Sequence, residues 1–241
     1  MAEHVRDHRS VLAAAEKRLL IRIAQRLPSA INSDHLTALA LAAMALAGVG
    51  FALARWDVRA VWIVVAALAI NWFGDSLDGT VARVRGHERP RYGFYIDHVV
   101  DIVGFTLLMA GLASSGYMTP LIALSVLVAF LLVSGEVFLA TAVRSVFKMS
   151  VAGVGPTELR ILLAVGSIAL LGNPHVDLGA LGQMQLFDFG GLIAIVGMVV
   201  TLGVAVFRNG LALARLESRK PASAGKPESV PGSESPVVCI L

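Results

Sequence analysis

Apolar and polar positions alternate in long blocks along this chain, and the blocks set its architecture. Six apolar runs follow a polar opening, at about Leu36–Ala54, Val58–Gly79, Gly93–Ser114, Pro120–Val143, Thr157–Gly172 and Phe187–Phe207. A helix crossing a bilayer needs roughly 20 apolar residues, so each run reads as a span, with the fifth at the lower limit and tilted or partly irregular. Ahead of them, Ser10 to Leu27 can form an amphipathic helix. It brings Leu12, Leu19, Leu20, Ile23 and Leu27 near one face and sets Lys17, Arg18, Arg22 and Arg26 beside it. That pattern suits a helix lying on an anionic membrane surface; a solvated basic arm is the plainer alternative. Beyond Arg219, the Pro, Ser, Gly and Glu-rich stretch from Pro221 to Pro236 reads as a disordered tail. The expected fold is all-α: a six-helix integral membrane bundle with an N-terminal interfacial helix. Its parts are an arm over 1–33, a catalytic domain over 34–216 and a tail over 217–241.

Composition agrees with this picture. Of 241 residues 56% are hydrophobic and 15% charged, with a mean hydropathy of +0.75, far from the balance of a soluble domain. The net charge of +3 does not imply nucleic acid. In so apolar a chain basic residues are better explained by orientation. They gather in the N-terminal arm, between the second and third runs (Arg83, Arg85, Arg89, Arg91), after the fourth (Arg144, Lys148) and in the C-terminal segment, whereas the opposite side carries Arg55 and Arg59. This places both termini in the cytoplasm, with the chain in an inner or plasma membrane, and requires an even number of spans. No cleavable signal peptide is read, and Cys239, the lone cysteine, allows no internal disulfide.

Chemistry concentrates between residues 75 and 101. Asp75 and Asp78 are three apart at the cytoplasmic end of the second run, so their carboxylates share a helical face, with Asn71 a turn before them. Asp97 and Asp101 are four apart at the start of the third run and share a face too. The connection around 86–92 is short, so the two helices are antiparallel neighbours and the carboxylates converge at one depth. Charges inside a membrane segment are costly and mark a site or a pathway. Four carboxylates together need either protons or cations, and an all-oxygen donor set favours Mg²⁺, Mn²⁺ or Ca²⁺. Gly79 and Gly93 would allow close approach of a ligand. Capping, or pairing with the neighbouring arginines, is the structural alternative.

The pattern Asp75-x-x-Asp78-Gly79-x-x-Ala82-Arg83, nine residues, Gly93-x-x-x-Asp97-x-x-x-Asp101 resembles the signature of the CDP-alcohol phosphatidyltransferase family, with a spacer of nine rather than the commoner eight. The resemblance implies two divalent ions, Mg²⁺ or Mn²⁺, held by Asp75, Asp78, Asp97 and Asp101. It implies Gly79, Ala82, Arg83 and Gly93 near the CDP-linked donor, and Asp101 accepting the acceptor's proton. It also implies a lipid or polar alcohol acceptor, a homodimer, and release of CMP. Asp97-His98 and Thr157-Glu158 resemble the choline and ethanolamine phosphotransferase branch, where the histidine is a candidate base. Arg144, Lys148 and Arg160 instead fit a basic pocket for a phosphorylated acceptor of CDP-diacylglycerol-dependent transfer. Arg160 could also pair with Glu136, the acid inside the fourth run, which is itself a headgroup candidate. The opening Asn32-Ser33-Asp34-His35-Leu36-Thr37 lacks the proline of the Pro-Asn-Leu-Thr segment common in relatives. Two rival classes are less consistent. Membrane prenyltransferases separate their acidic motifs much further along the chain. A cation transporter would spread polar groups through the full membrane depth.

Overall fold

The computed structural model describes residues 11–144, 156–179 and 182–218. Within them run seven α-helices: α1 (Val11–Arg26), α2 (Ser33–Ala54), α3 (Val61–Val84), α4 (Pro90–Ser114), α5 (Pro120–Arg144), α6 (Pro156–Ala169) and α7 (Leu186–Ser218). A 3-10 turn over Val58–Ala60 leads into α3, and two short antiparallel strands, β1 (His175–Asp177) and β2 (Gln183–Gln185), form a hairpin before α7. The apolar runs did not announce that hairpin, which is too short and too polar to carry a periodic signal.

Five helical segments are long and apolar enough to cross a membrane: Ser33–Ala54, Val58–Val84, Pro90–Ser114, Pro120–Val143 and Leu186–Ser218. The expected count of six is not reproduced at full length. With 14 residues, α6 reaches about 21 Å, against the ~30 Å hydrocarbon core. Helices also outrun their apolar stretches: α3 continues past Gly79 to Val84, and α7 continues past Phe207 to Ser218. Periodic hydrogen bonding carries a helix into polar sequence that hydropathy alone does not include.

The bundle is organised around α2 and α3. The buried positions of α3 (Val61, Val64, Ala67, Leu68, Asn71, Gly74, Leu77, Val81) recur at three- and four-residue steps along one stripe. On α2 the buried stripe is mostly Ala and Gly, so neighbouring backbones come close. At the crossing of α2 with α4 the approach is extreme. A Cβ added at Gly111 would lie 2.0 Å from the carbonyl oxygen of Gly48, and one at Gly48 2.5 Å from that of Leu107. Any side chain there would force the helices apart.

Helix α1 docks on the C-terminal half of α3 through Leu20 and Ala24, which pack with Leu36, Leu77 and Val81. Arg85, just past α3, then secures the segment after α1 by donating to the carbonyl oxygens of Ile31, Leu27 and Pro28. A cation at exposed carbonyls is favourable, both as a donor and against the helix dipole. At the opposite end Asp188, buried in the first turn of α7, accepts from the backbone N–H of Thr119 at 2.7 Å and from its hydroxyl at 2.6 Å. It thereby caps the start of α5 from another helix.

Candidate active site

The site is built where the end of α3 meets the starts of α4 and α2. Asn32 caps α2, accepting from the N–H of His35 at 3.0 Å, while the His35 ring accepts in return from the N–H of Asn32. No proline is needed for this entry, because the reciprocal bonds satisfy two exposed donors. Asp34, on the next residue but one, pairs with Arg89, whose guanidinium also lies 4.3 Å over the Tyr92 ring. The first turn of α2 is thus tied to the α3–α4 connection.

Asp75 and Asp78 lie on α3, Asp97 and Asp101 on α4. Asp101 falls within electrostatic reach of Asp75, Asp97 and Asp78, and Asp78 within reach of Asp75 and Asp97. The carboxylates of the two helices thus act on one another electrostatically, but the expected packing of α3 beside α4 is not found: each packs against α2 and has little direct contact with the other. Asp97 is half-buried and Asp101 exposed. The two α3 carboxylates are held by protein donors. Asp75 accepts from Arg160 Nη2 at 2.7 Å, and the same guanidinium donates through Nε to Asn71 at 2.7 Å. Asp78 accepts from the Thr37 hydroxyl at 2.7 Å through one oxygen and from the Gly79 N–H through the other.

Four hard oxygen donors fit Mg²⁺ or Mn²⁺ in kind. Among the described residues, however, no three His, Cys, Asp or Glu side chains gather tightly enough to share one ion. The two aspartate pairs stand on helices that each pack against α2 and make little direct contact with each other.

The remaining expected residues divide into those at the carboxylates and those elsewhere. Gly79, Ala82 and Arg83 continue along α3. Arg83 donates to Thr80 at 3.2 Å, and its guanidinium covers Gly79, 3.4 Å from where a Cβ would stand. Around Gly93 a Cβ would meet no described atom within 4 Å, which leaves open space one turn ahead of Asp97. His98 is buried, with Nδ1 2.6 Å from the carbonyl oxygen of Phe94 and its ring stacked near Phe94 and edge-on to Phe138 of α5. A carbonyl only accepts, so Nδ1 carries a proton. Glu158 occupies the first turn of α6, where an acid suits the helix dipole.

The pairing of Arg160 with Glu136 does not occur. Arg160 reaches Asp75, while Glu136 accepts from Asn209 of α7 at 2.6 Å. Glu136 lies on α5, which packs against α7, whereas α6 packs against α3. Arg144 ends α5, but its side chain, like Lys148 altogether, lies outside the described residues. Thr37 and Asn71 contact the carboxylate network directly, and neither was among the expected ligands. The signal for Asn71 was its place on the Asp75 face; for Thr37 it was a segment resemblance broken by the missing proline.

A family model described as CDP-alcohol phosphatidyltransferase matches residues 31–209, from the cap of α2 to the residue of α7 that holds Glu136. The chain belongs to the CDP-alcohol phosphatidyltransferase family. It is accordingly a phosphotransferase of phospholipid synthesis, and the five long apolar helices agree with an enzyme embedded in the membrane. No curated protein sequence matches the chain.

Proposed function

We propose that this enzyme transfers a phosphoalcohol or phosphatidyl group from a CDP-linked donor to a hydroxyl acceptor and releases CMP, using the carboxylates of Asp75, Asp78, Asp97 and Asp101 to hold two divalent ions. The observation that supports this reading is the electrostatic coupling of Asp101 to Asp75, Asp97 and Asp78 in a chain of this family. Bound Mg²⁺ or Mn²⁺ supplies the positive charge that a diphosphate and a departing CMP require. The chain's own groups do the rest. Asp75, Asp78 and Asp97 would hold the ions and, only through them, the donor's diphosphate, and Asp101, the exposed member, takes the proton of the attacking hydroxyl. Gly79, Ala82 and Gly93 leave room for the nucleotide, and Arg83 faces its phosphate.

In this reading α6 is the sixth membrane element, both termini are cytoplasmic, and the protein works as a homodimer. The distribution of Arg and Lys supports the orientation. Arg160 also supports a particular acceptor class. A guanidinium already at the carboxylates can turn toward an anionic group there, which favours a phosphorylated polar acceptor and hence a CDP-diacylglycerol donor. His98 and Glu158 are the basis of the other arrangement, with CDP-choline or CDP-ethanolamine donating to diacylglycerol.

The test is CMP release by purified enzyme with Mg²⁺ or Mn²⁺. CDP-diacylglycerol is offered with a panel of free and phosphorylated alcohols, and CDP-choline and CDP-ethanolamine are offered separately with diacylglycerol. Metal-dependent CMP in the first set alone establishes phosphatidyl transfer, and in the second set alone amino-alcohol transfer. Undiminished CMP release after chelation would overturn the metal reading.

A further inference from the structure

We propose that Thr37 is a positioning residue for Asp78, setting the direction in which that carboxylate offers its oxygens to a divalent ion; this rests on the metal reading above. Thr37 stands at the start of α2, one turn past the Asn32 cap. Two contacts fix the register of α2 against α3 around it. A Cβ on Gly74 would stand 2.7 Å from the carbonyl oxygen of Leu36, so the backbones touch just before Thr37. Asn71 donates to the carbonyl oxygen of Ala40 at 2.9 Å, one turn beyond. On α3, Asn71, Gly74 and Asp78 share a face at helical steps of three and four, so that face carries both the backbone contacts and the carboxylate.

The hydroxyl of Thr37 has one proton and two acceptors in range, Asp78 Oδ2 at 2.7 Å and the Ser33 carbonyl oxygen at 3.1 Å. The shorter contact is to the carboxylate, as expected where the acceptor is charged. The N–H of Gly79 meets the other oxygen. With a donor at each oxygen the carboxylate plane is set, yet a carboxylate has about four acceptor positions, so lone pairs remain for an ion. Partners of this kind orient metal ligands, and their loss typically weakens metal affinity by about 10- to 100-fold. A helical threonine that merely bonds back to the carbonyl four residues earlier would have no such effect. Valine has threonine's shape and removes the donor; serine keeps the donor and removes the methyl group.

The experiment is Mn²⁺ titration of the purified full chain in detergent, followed by the electron paramagnetic resonance signal of free Mn²⁺, with thermal unfolding in chelator as a fold check. Thr37→Val is expected to raise the Kd for Mn²⁺ by about 10- to 100-fold, while Thr37→Ser stays near the wild-type value. Thr37→Ala provides a second donor-free variant should the valine form not fold. Wild-type affinity in a folded donor-free variant overturns the inference, as does Thr37→Ser binding as weakly as Thr37→Val. A wild-type chain that binds no Mn²⁺ overturns the metal reading itself, and the two failures are thereby told apart.

Discussion

The helices α2, α3 and α4 and the pair α5 and α7 cross the same membrane but are held by different means. In the first group small residues bring backbones into contact, as at Gly48 with Gly111, and polar side chains reach between helices at Thr37, Asn71 and Asp78. In the second, large aliphatic side chains such as Leu132, Val196 and Val199 face outward. Among the described residues a polar pin sits toward each end there, Glu136 with Asn209 and Asp188 with Thr119. Apolar surface gains little by leaving lipid for protein, so close packing and hydrogen bonds must provide association. The half that carries the carboxylates has both throughout its length. The other half has them at points, and the rest of its surface is left to lipid.

The largest effects should come from the first group's chemistry. Asp78→Asn or Asp97→Asn is expected to bring CMP release to background while the protein still unfolds cooperatively in detergent; wild-type turnover in either would remove these residues from the site. Gly111→Ala comes next, because its new methyl group meets backbone. It should lower stability by about 1–3 kcal/mol in a thermal or denaturant melt, and a neutral result would mean the α2–α4 crossing is looser than the structure has it.

Effects in the second group should be smaller. Asp188→Ala removes a two-bond cap and should cost about 0.5–2 kcal/mol. Asn209→Leu deletes one interhelical bond, worth about 0.6 kcal/mol on average in membrane proteins, and should leave the Mn²⁺ affinity unchanged. Gly197→Ala on α7, where a Cβ would meet no described atom within 4 Å, should be neutral or stabilise by up to about 1 kcal/mol through helix propensity. If it destabilised as strongly as Gly111→Ala, the contrast between the two groups would collapse.

Sequence made the helices and the two aspartate pairs legible because both are short-range facts. Spacings of three and four fix which aspartates share a face, whereas the short connection did not make α3 and α4 packed neighbours, since both pack on α2. What it did not reveal are pairings across long separations. Thr37 and Asp78 are 41 residues apart, Arg160 and Asp75 85 apart, and Glu136 and Asn209 73 apart. Each depends on how helices rotate and cross, which a hydropathy pattern leaves open. Arg160 shows this well: both it and Glu136 were marked as charges in apolar surroundings, and only helix order decides which acid the cation meets. The short α6 has a similar origin, since an apolar composition sets no minimum helix length.

The contact between Gly48 and Gly111 has a mechanical meaning. Two rods touching at a point without side chains between them make a fulcrum, and Asp101 sits ten residues from it along α4, a lever arm of about 15 Å. Rocking α4 by roughly 5° about that point would carry the Asp101 carboxylate sideways by about 1.3 Å, the scale at which misplacement near reacting atoms costs a catalyst about a hundredfold. A few degrees of helix tilt, of the size that bilayer thickness imposes on membrane helices, would therefore set how well the two carboxylate pairs of this enzyme meet.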